Sequence, residues 1–220
     1  VLDANNWWLR DGNGNIVQET ATTWFLDVGK AGFKEAYLTS LLARTAGKGF
    51  DGIVFDYWVP DMISRWIVNK GLPVPPSYAN DTVWQENAWK PFLNYVMTGV
   101  RAAGYRMIGN EAGAYRSGSS IKDWQRTLID GTVYESWGVG WQGQWLDPAI
   151  IDERIANYRD DPLEAWTADL LRVAHAEYDR KHRAALAMYY LAANANMIRF
   201  YHHYRDSKVF WEPISDFDVG

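Results

Sequence analysis

The chain contains no cysteine. It can therefore build neither a disulfide frame nor a thiolate metal site, and its redox compartment is left undetermined. No window is long and apolar enough to span a bilayer. Positive charge is in deficit: 22 Lys and Arg stand against 27 Asp and Glu, a formal net charge of -5. That balance argues against a nucleic-acid partner, since phosphate binding draws on a basic surface. Histidine is scarce as well. His175 and His182 lie among Glu177, Asp179, Arg180 and Lys181, a solvated helix face by pattern. His202 and His203 are adjacent and cannot point the same way on a helix. No metal-ligand spacing emerges, so neither a metal nor a cofactor is expected. There is no G-x-S-x-G nucleophile elbow. Gly12-Asn13-Gly14 lacks the strand-to-helix switch of a dinucleotide fingerprint and reads as a turn. The chain opens on Val1 with no signal-peptide pattern after it, the expectation for a processed or excised segment.

What the chain has in quantity is aromatic side chains, thirteen Trp and thirteen Tyr among 220 residues. Such a set suits either a large aromatic core or faces that bind flat, partly apolar ligands such as sugars. Apolar residues make up 48%, which supports a real core and excludes general disorder.

The chain is organised around Phe50–Trp58, FDGIVFDYW. Ile53, Val54 and Phe55 read as a short buried strand. It stops at Asp56, and a carboxylate there is costly unless it faces a polar pocket or caps the next element. Ahead of it, residues 1–29 read as an aromatic-decorated loop, with Arg10-Asp11-Gly12-Asn13-Gly14-Asn15 as a turn and Ile16-Val17 as a short arm. Trp7 and Trp8 are either ligand platforms or packing under that loop. Phe33–Lys48 has helical spacing through Phe33, Tyr37, Leu38, Leu41 and Leu42 and is closed by Gly47 and Gly49. A Pro-rich excursion over residues 59–83 follows the strand, with a short helix expected near Met62–Asn69.

The alternation then recurs. Glu86–Ala103 predicts a helix, Tyr105–Gly109 a strand ending in Asn110-Glu111, Ile121–Leu128 a helix with Trp124 and Leu128 inward, and Thr132–Tyr134 a strand ending in Glu135. A Gly- and Trp-rich loop comes next, and Pro148 opens a helical stretch. Helical spacing continues over Leu163–His182, a strand is expected at Ala185–Tyr190, a helix at Ala195–Tyr204, and an irregular tail from Trp211. Strict alternation argues for an α/β fold of the (β/α)8 TIM-barrel type, here as a single domain over residues 1–220. A full barrel needs about 250 residues, so a partial barrel, a segment of a longer chain lacking its first strands, is expected.

Three carboxylates, Asp56, Glu111 and Glu135, are each expected one step beyond an apolar strand. In a barrel, consecutive strand ends share one rim, which is where active sites sit. Two facing carboxyl groups suit glycoside hydrolysis: one donates a proton to the leaving oxygen while the other attacks or activates water. Crowding of like charges raises one pKa and so helps create the acid.

FDGIVFDYW resembles the strand motif of hypothetical TIM-barrel glycosyl hydrolases related to the α-galactosidase and endo-α-1,4-polygalactosaminidase superfamily. RDGNGN, then WFLD, then a helix leading into GFDG resembles the preceding unit of that pattern, and the tail WEPISDFDVG resembles the segment after its late strands. The resemblance implies that Asp56 is nucleophile or base and that Glu135, in VYESW, is the proton donor. Asn110 matches a polar position on the intervening strand. Glu111 beside it is less typical, which leaves the acid open between Glu111 and Glu135. Trp58, Trp137, Trp141 and Trp145 are candidates for stacking on sugar rings, with Tyr57, Asn110 and Gln142 as hydroxyl partners. The expected partner is a carbohydrate substrate. Two other readings fit: a non-catalytic carbohydrate-binding or structural barrel module of a larger surface or viral assembly, and a lyase or metal-dependent barrel enzyme with an ion bound among the same carboxylates.

Overall fold

The computed structural model describes residues 5–56, 60–110, 120–135, 144–159, 164–171, 197–204 and 212–213, with 180, 183–184, 187–188 and 191 as single helical positions. The chain forms two compact units, Val1–Ile53 with Val59–Arg106, and Val54–Trp58 with Met107–Gly220.

In the first unit, the segment expected as a loop is a small antiparallel junction. Asp11 is buried and accepts from the main-chain N–H groups of Asn13 and Asn15, both at 2.9 Å, and from Asn15 Nδ2 at 3.2 Å. Those bonds close the Gly-rich turn, and the chain doubles back so that Arg10 bridges Ile16 and Trp8 bridges Leu26. Beyond them β1 (Gln18–Thr20) pairs with β2 (Thr23–Trp24). Three main-chain bonds run in a ring: Leu9 N–H to Phe25 O, Phe25 N–H to Val17 O, and Val17 N–H to Leu9 O. Strand alternation then separates two faces. Trp7, Leu9, Val17 and Asp27 are buried on one, while Trp8, Arg10, Gln18 and Trp24 alternate to the other.

α1 (Phe33–Thr45) starts after Gly32, whose φ of 77° is comfortable only without a Cβ. It leads, as expected, into β3 (Gly52–Phe55). Ile53 and Phe55 are buried but Val54 is 52% exposed, so this strand is buried on one face rather than throughout. α2 (Met62–Trp66) and a single 3-10 turn (Val68–Lys70) occupy the Pro-rich excursion. α2 receives its cap from a distant residue: Asp81 Oδ1 accepts from the N–H groups of Ile63 at 2.8 Å and Ser64 at 3.1 Å.

The helix expected from Glu86 begins earlier. Asn80 caps α3 (Asp81–Trp84), accepting from Val83 N–H at 3.0 Å. A π-turn over Gln85–Trp89 joins α3 to α4 (Lys90–Ala102). Pro91 gives the π-turn its physical reason: its ring cannot donate and would clash with the carbonyl four residues back, and a wider preceding turn relieves that clash. Phe92, Leu93, Val96, Met97 and Val100 are all buried. Phe92 lies 5.7 Å from Phe33, 5.2 Å from Tyr37 and 6.2 Å from Trp89, ring to ring, and Trp7 closes on Phe33 at 5.5 Å. Each such buried ring contributes about 1.5–3 kcal/mol by area and about 0.5–1.5 kcal/mol more by ring geometry.

In the second unit the elements are β4 (Arg106–Asn110), α5 (Ser120–Arg126), β5 (Gly131–Glu135), α6 (Pro148–Arg159), β6 (Glu164–Leu171), β7 (Met197–Tyr204) and β8 (Glu212–Pro213). Among the described side chains on and after α5, Gln125 and Ile129 are buried, while Trp124 and Leu128 are only half-buried. Asp147 accepts from Ala149 N–H at 2.8 Å, and Pro148 opens α6 behind it. The sheet runs β3-β4-β5-β6-β7-β8, with β4 to β7 parallel and β8 antiparallel to β7. Each strand therefore lies beside its successor in sequence. Among the described residues the sheet does not close, and β3 and β8 are its outer strands.

Several secondary-structure expectations fail here. Glu164–Leu171 is a strand and not the start of a helix, Met197–Tyr204 is a strand where a helix was predicted, and residues 187–188 are helical where a strand was predicted. The tail, expected to be irregular, adds β8. Leu163, Trp166 and Leu170 do fit a helical period, but β6 is paired along both edges, and two ladders outweigh local spacing.

Gly29 sits where nothing larger fits. A Cβ there would run into the Tyr78 hydroxyl and come within 2.9 Å of Ala88 Cβ and 3.2 Å of Ala88 Cα. Gly29→Ala is expected to cost about 1–3 kcal/mol, read as a lower urea midpoint. Tyr78 donates to Asp27 Oδ1 at 2.6 Å, and both are buried. Burial, and then that carboxylate, raise the Tyr78 pKa above its usual 10.0. The folded state therefore holds this proton where the unfolded chain releases it. The stability involved is whole below pH 10 and falls as pH rises beyond it. Between pH 8 and pH 11, wild type should lose more thermal stability than Tyr78→Phe, although the variant starts lower at pH 8.

Candidate functional site

The second unit brings two of the sequence-predicted residues into contact. Asp56 directly follows β3 and is exposed. Asn110 is the last residue of β4 and only 6% exposed. Its Nδ2 donates to Asp56 Oδ1 at 2.9 Å. The local sequence explains the pairing. Met107, Ile108 and Gly109 bury β4, and an uncharged amide at the strand's end can accompany them inward where a charge could not. Asp56, one strand over, lies at the water boundary and accepts from that amide. A carboxylate acceptor makes such a bond stronger than a neutral pair and fixes the carboxylate's rotamer.

Glu135 belongs to the adjacent strand. β4 and β5 are parallel with Asn110 opposite Val133, so the main chain of Glu135 stands two positions further toward the same carboxyl-terminal edge. It is the final residue of β5 and in register with Ala168 of β6, rather than one step past the strand as expected. The start of this strand pair is fixed by Asp130, whose Oδ2 accepts from Met107 N–H at 2.7 Å while its own N–H donates to Met107 O at 2.7 Å.

Trp145, a predicted stacking residue, is 44% exposed just before α6, with the Arg180 guanidinium 5.1 Å from its ring centroid. Part of its π-surface is therefore already engaged by a cation. Tyr57, Trp58, Glu111, Trp137, Trp141 and Gln142 lie outside the described residues, as do His175 and His182. Three buried polar residues, Thr132, Gln125 and Arg154, are not anticipated by the sequence pattern. Thr132 on β5 and Gln125 on α5 are 0% and 4% exposed, and neither Thr132 Oγ1 nor Gln125 Nε2 has a hydrogen-bond partner among the described residues. Thr132 lies in a short strand pattern, while Gln125, between Lys122, Asp123 and Arg126, carries no sequence signal of burial. Among the described residues, no group of three or more His, Asp or Glu is placed to hold a metal, and no helix is long and apolar enough to cross a membrane.

No protein-family model matches the chain, and no curated protein matches it significantly.

The Asp56–Asn110 pair can be tested by charge. Asn110→Asp places a second carboxyl group against the first, and like charges at that range raise one of the two pKa values. A raised folded-state pKa makes the variant lose stability as pH increases. Asn110→Asp should therefore fall further below wild type at pH 7 than at pH 4 in urea unfolding, with about 1–3 kcal/mol lost at neutral pH.

Proposed function

We propose that this chain is a (β/α)-barrel-type glycoside hydrolase that cleaves an O-glycosidic bond of a polysaccharide or oligosaccharide by a two-carboxylate mechanism. The observation that supports it best is the exposed Asp56 carboxylate at a strand end, its Oδ1 bonded to the buried Asn110 amide of the next strand. A carboxylate held in one rotamer beside water is the form in which a nucleophile or base is useful. The fold part of the proposal rests on the strand order. A sheet in which each strand neighbours its successor is wound in one direction, as a barrel is, whereas doubly wound sheets reverse at a switch point.

In this reading Asp56 attacks the anomeric carbon, or removes a proton from the water that does. The acid, Glu135 or Glu111, gives its proton to the glycosidic oxygen as the C–O bond breaks. Water supplies the new hydroxyl at the anomeric carbon; its remaining proton restores the acid when Asp56 is the nucleophile, whereas when Asp56 is the base it takes that proton, releases it to solvent, and the acid regains one from solvent. Asn110 orients Asp56 and, as an amide, adds no charge that would compete with the developing positive charge of the sugar.

The test is a panel of α- and β-linked glycans assayed for released reducing ends. Wild type should cleave at least one. Asp56→Asn keeps the size and polarity of the side chain and should lose about a thousandfold or more in kcat with a thermal midpoint within a few degrees of wild type. Release by Asp56→Asn at the wild-type rate, or no release by wild type from any glycan, overturns the proposal.

A further inference from the structure

The outward face of the N-terminal junction carries two indoles side by side. Trp8 and Trp24 meet there edge to face, ring centroids 6.3 Å apart and planes at 66°. Trp24 is 45% exposed and Trp8 half-buried. Gln18 is the register partner of Trp24 across the hairpin and is exposed too. At the hairpin tip Thr20 and Thr23 share a hydrogen bond between hydroxyls at 2.5 Å, both residues being exposed.

We propose that this face is a saccharide-binding platform, separate in role from the hydrolytic carboxylates, that takes pyranose units of a neutral glycan. A pyranose has the same division of surface: its C–H faces carry slight positive charge and suit the negative face of an indole, while its equatorial hydroxyls require donors and acceptors at the rim. Gln18 supplies those without a formal charge; the Arg10 guanidinium on the same face is bonded to Asn6 Oδ1 and Gly14 O, and the threonine hydroxyls are bonded to each other and accept from the N–H groups of Thr20 and Thr22. The size fits as well. Two partly covered indoles offer on the order of 150 Å² of aromatic surface, a match for one or two sugar rings and far below the ~800 Å² that a protein partner covers.

The platform is also held still from behind. Lys70 Nζ donates to the carbonyl oxygens of Gln18 and Glu19 at 2.6 and 3.0 Å and lies 4.9 Å from the centre of the Trp66 ring. Phe25, alternating to the opposite face from Trp24, packs on that same indole at 5.0 Å. A hairpin fixed at its backbone and on its inner face loses little freedom when a ligand docks on the outer one. This platform extends the glycan reading of the preceding subsection but does not depend on hydrolysis.

The test uses the full chain as Asp56→Asn, so that no glycan is consumed, in native affinity gels containing galactomannan or hydroxyethyl cellulose. Retardation by at least one of these polymers is expected. Adding Trp24→Ala should weaken it tenfold or more, while Trp24→Phe should keep most of it. Gln18→Ala should weaken it by a smaller factor. Unchanged retardation in Trp24→Ala, with far-UV circular dichroism like the parent's, overturns the platform, as does the absence of retardation by either polymer. Retardation that depends on Trp24 in a protein whose wild type releases no reducing ends would support the platform and overturn only the hydrolase.

Discussion

A buried carboxylate sets the constraint on which the first compact unit depends. Asp27 is 4% exposed. Left bare, an ionised side chain at that depth costs several kcal/mol. It is satisfied by the Tyr78 hydroxyl at 2.6 Å, by Gly29 N–H at 3.1 Å and by Lys30 Nζ at 3.8 Å. Only Gly29 and Lys30 are local. Tyr78 comes from the end of the Pro-rich excursion, so satisfying this charge fixes where fifty residues of intervening chain must return. Gly29 leaves room for that approach, and Ala88 of the π-turn fills the space on its far side. The aromatic cluster around Phe33 and Phe92 then stabilises an arrangement whose uniqueness comes from the polar contact.

The candidate site obeys the opposite logic. Asp56 stays at the water boundary, and the buried member of the pair is the amide of Asn110. Burying the amide and leaving the carboxylate exposed avoids the desolvation cost that Asp27 has to offset with two hydrogen-bond donors and an ion pair. The exposed carboxylate remains accessible to a ligand while its rotamer is set from below.

What could be read in advance follows the range of the interactions involved. Phe33–Thr45, β3, β4, β5 and α6 were legible because each is bounded by its own glycine, proline or cap. Asp56 and Asn110 were legible as polar residues stopping apolar runs, although the sequence did not show that they bond to one another. The start of the long helix was missed at Asp81 because Trp84 and Trp89, both buried, are five apart, a spacing that no regular helix places on one side. β6 was missed because Trp166 and Leu170 satisfy a helical period by coincidence, and its neighbours on the sheet are the only cue against it. For β7 the cue is local: Ile198, Phe200, Tyr201 and Tyr204 are strand-favouring types. The N-terminal junction closes through a ring of main-chain bonds, and main-chain bonds leave no trace in side-chain pattern.

The π-turn makes chain length itself a structural variable. Its extra residue lets the indoles of Trp84 and Trp89 both reach the interior, and Trp84 in turn meets the Tyr78 ring edge-on at 4.9 Å. Removing one residue between Gln85 and Trp89 would restore an even spiral and rotate everything upstream by about 100°. The side chain that completes the Asp27 contact would swing away although no residue of that contact had changed. Drift in length should thus be purged at this turn.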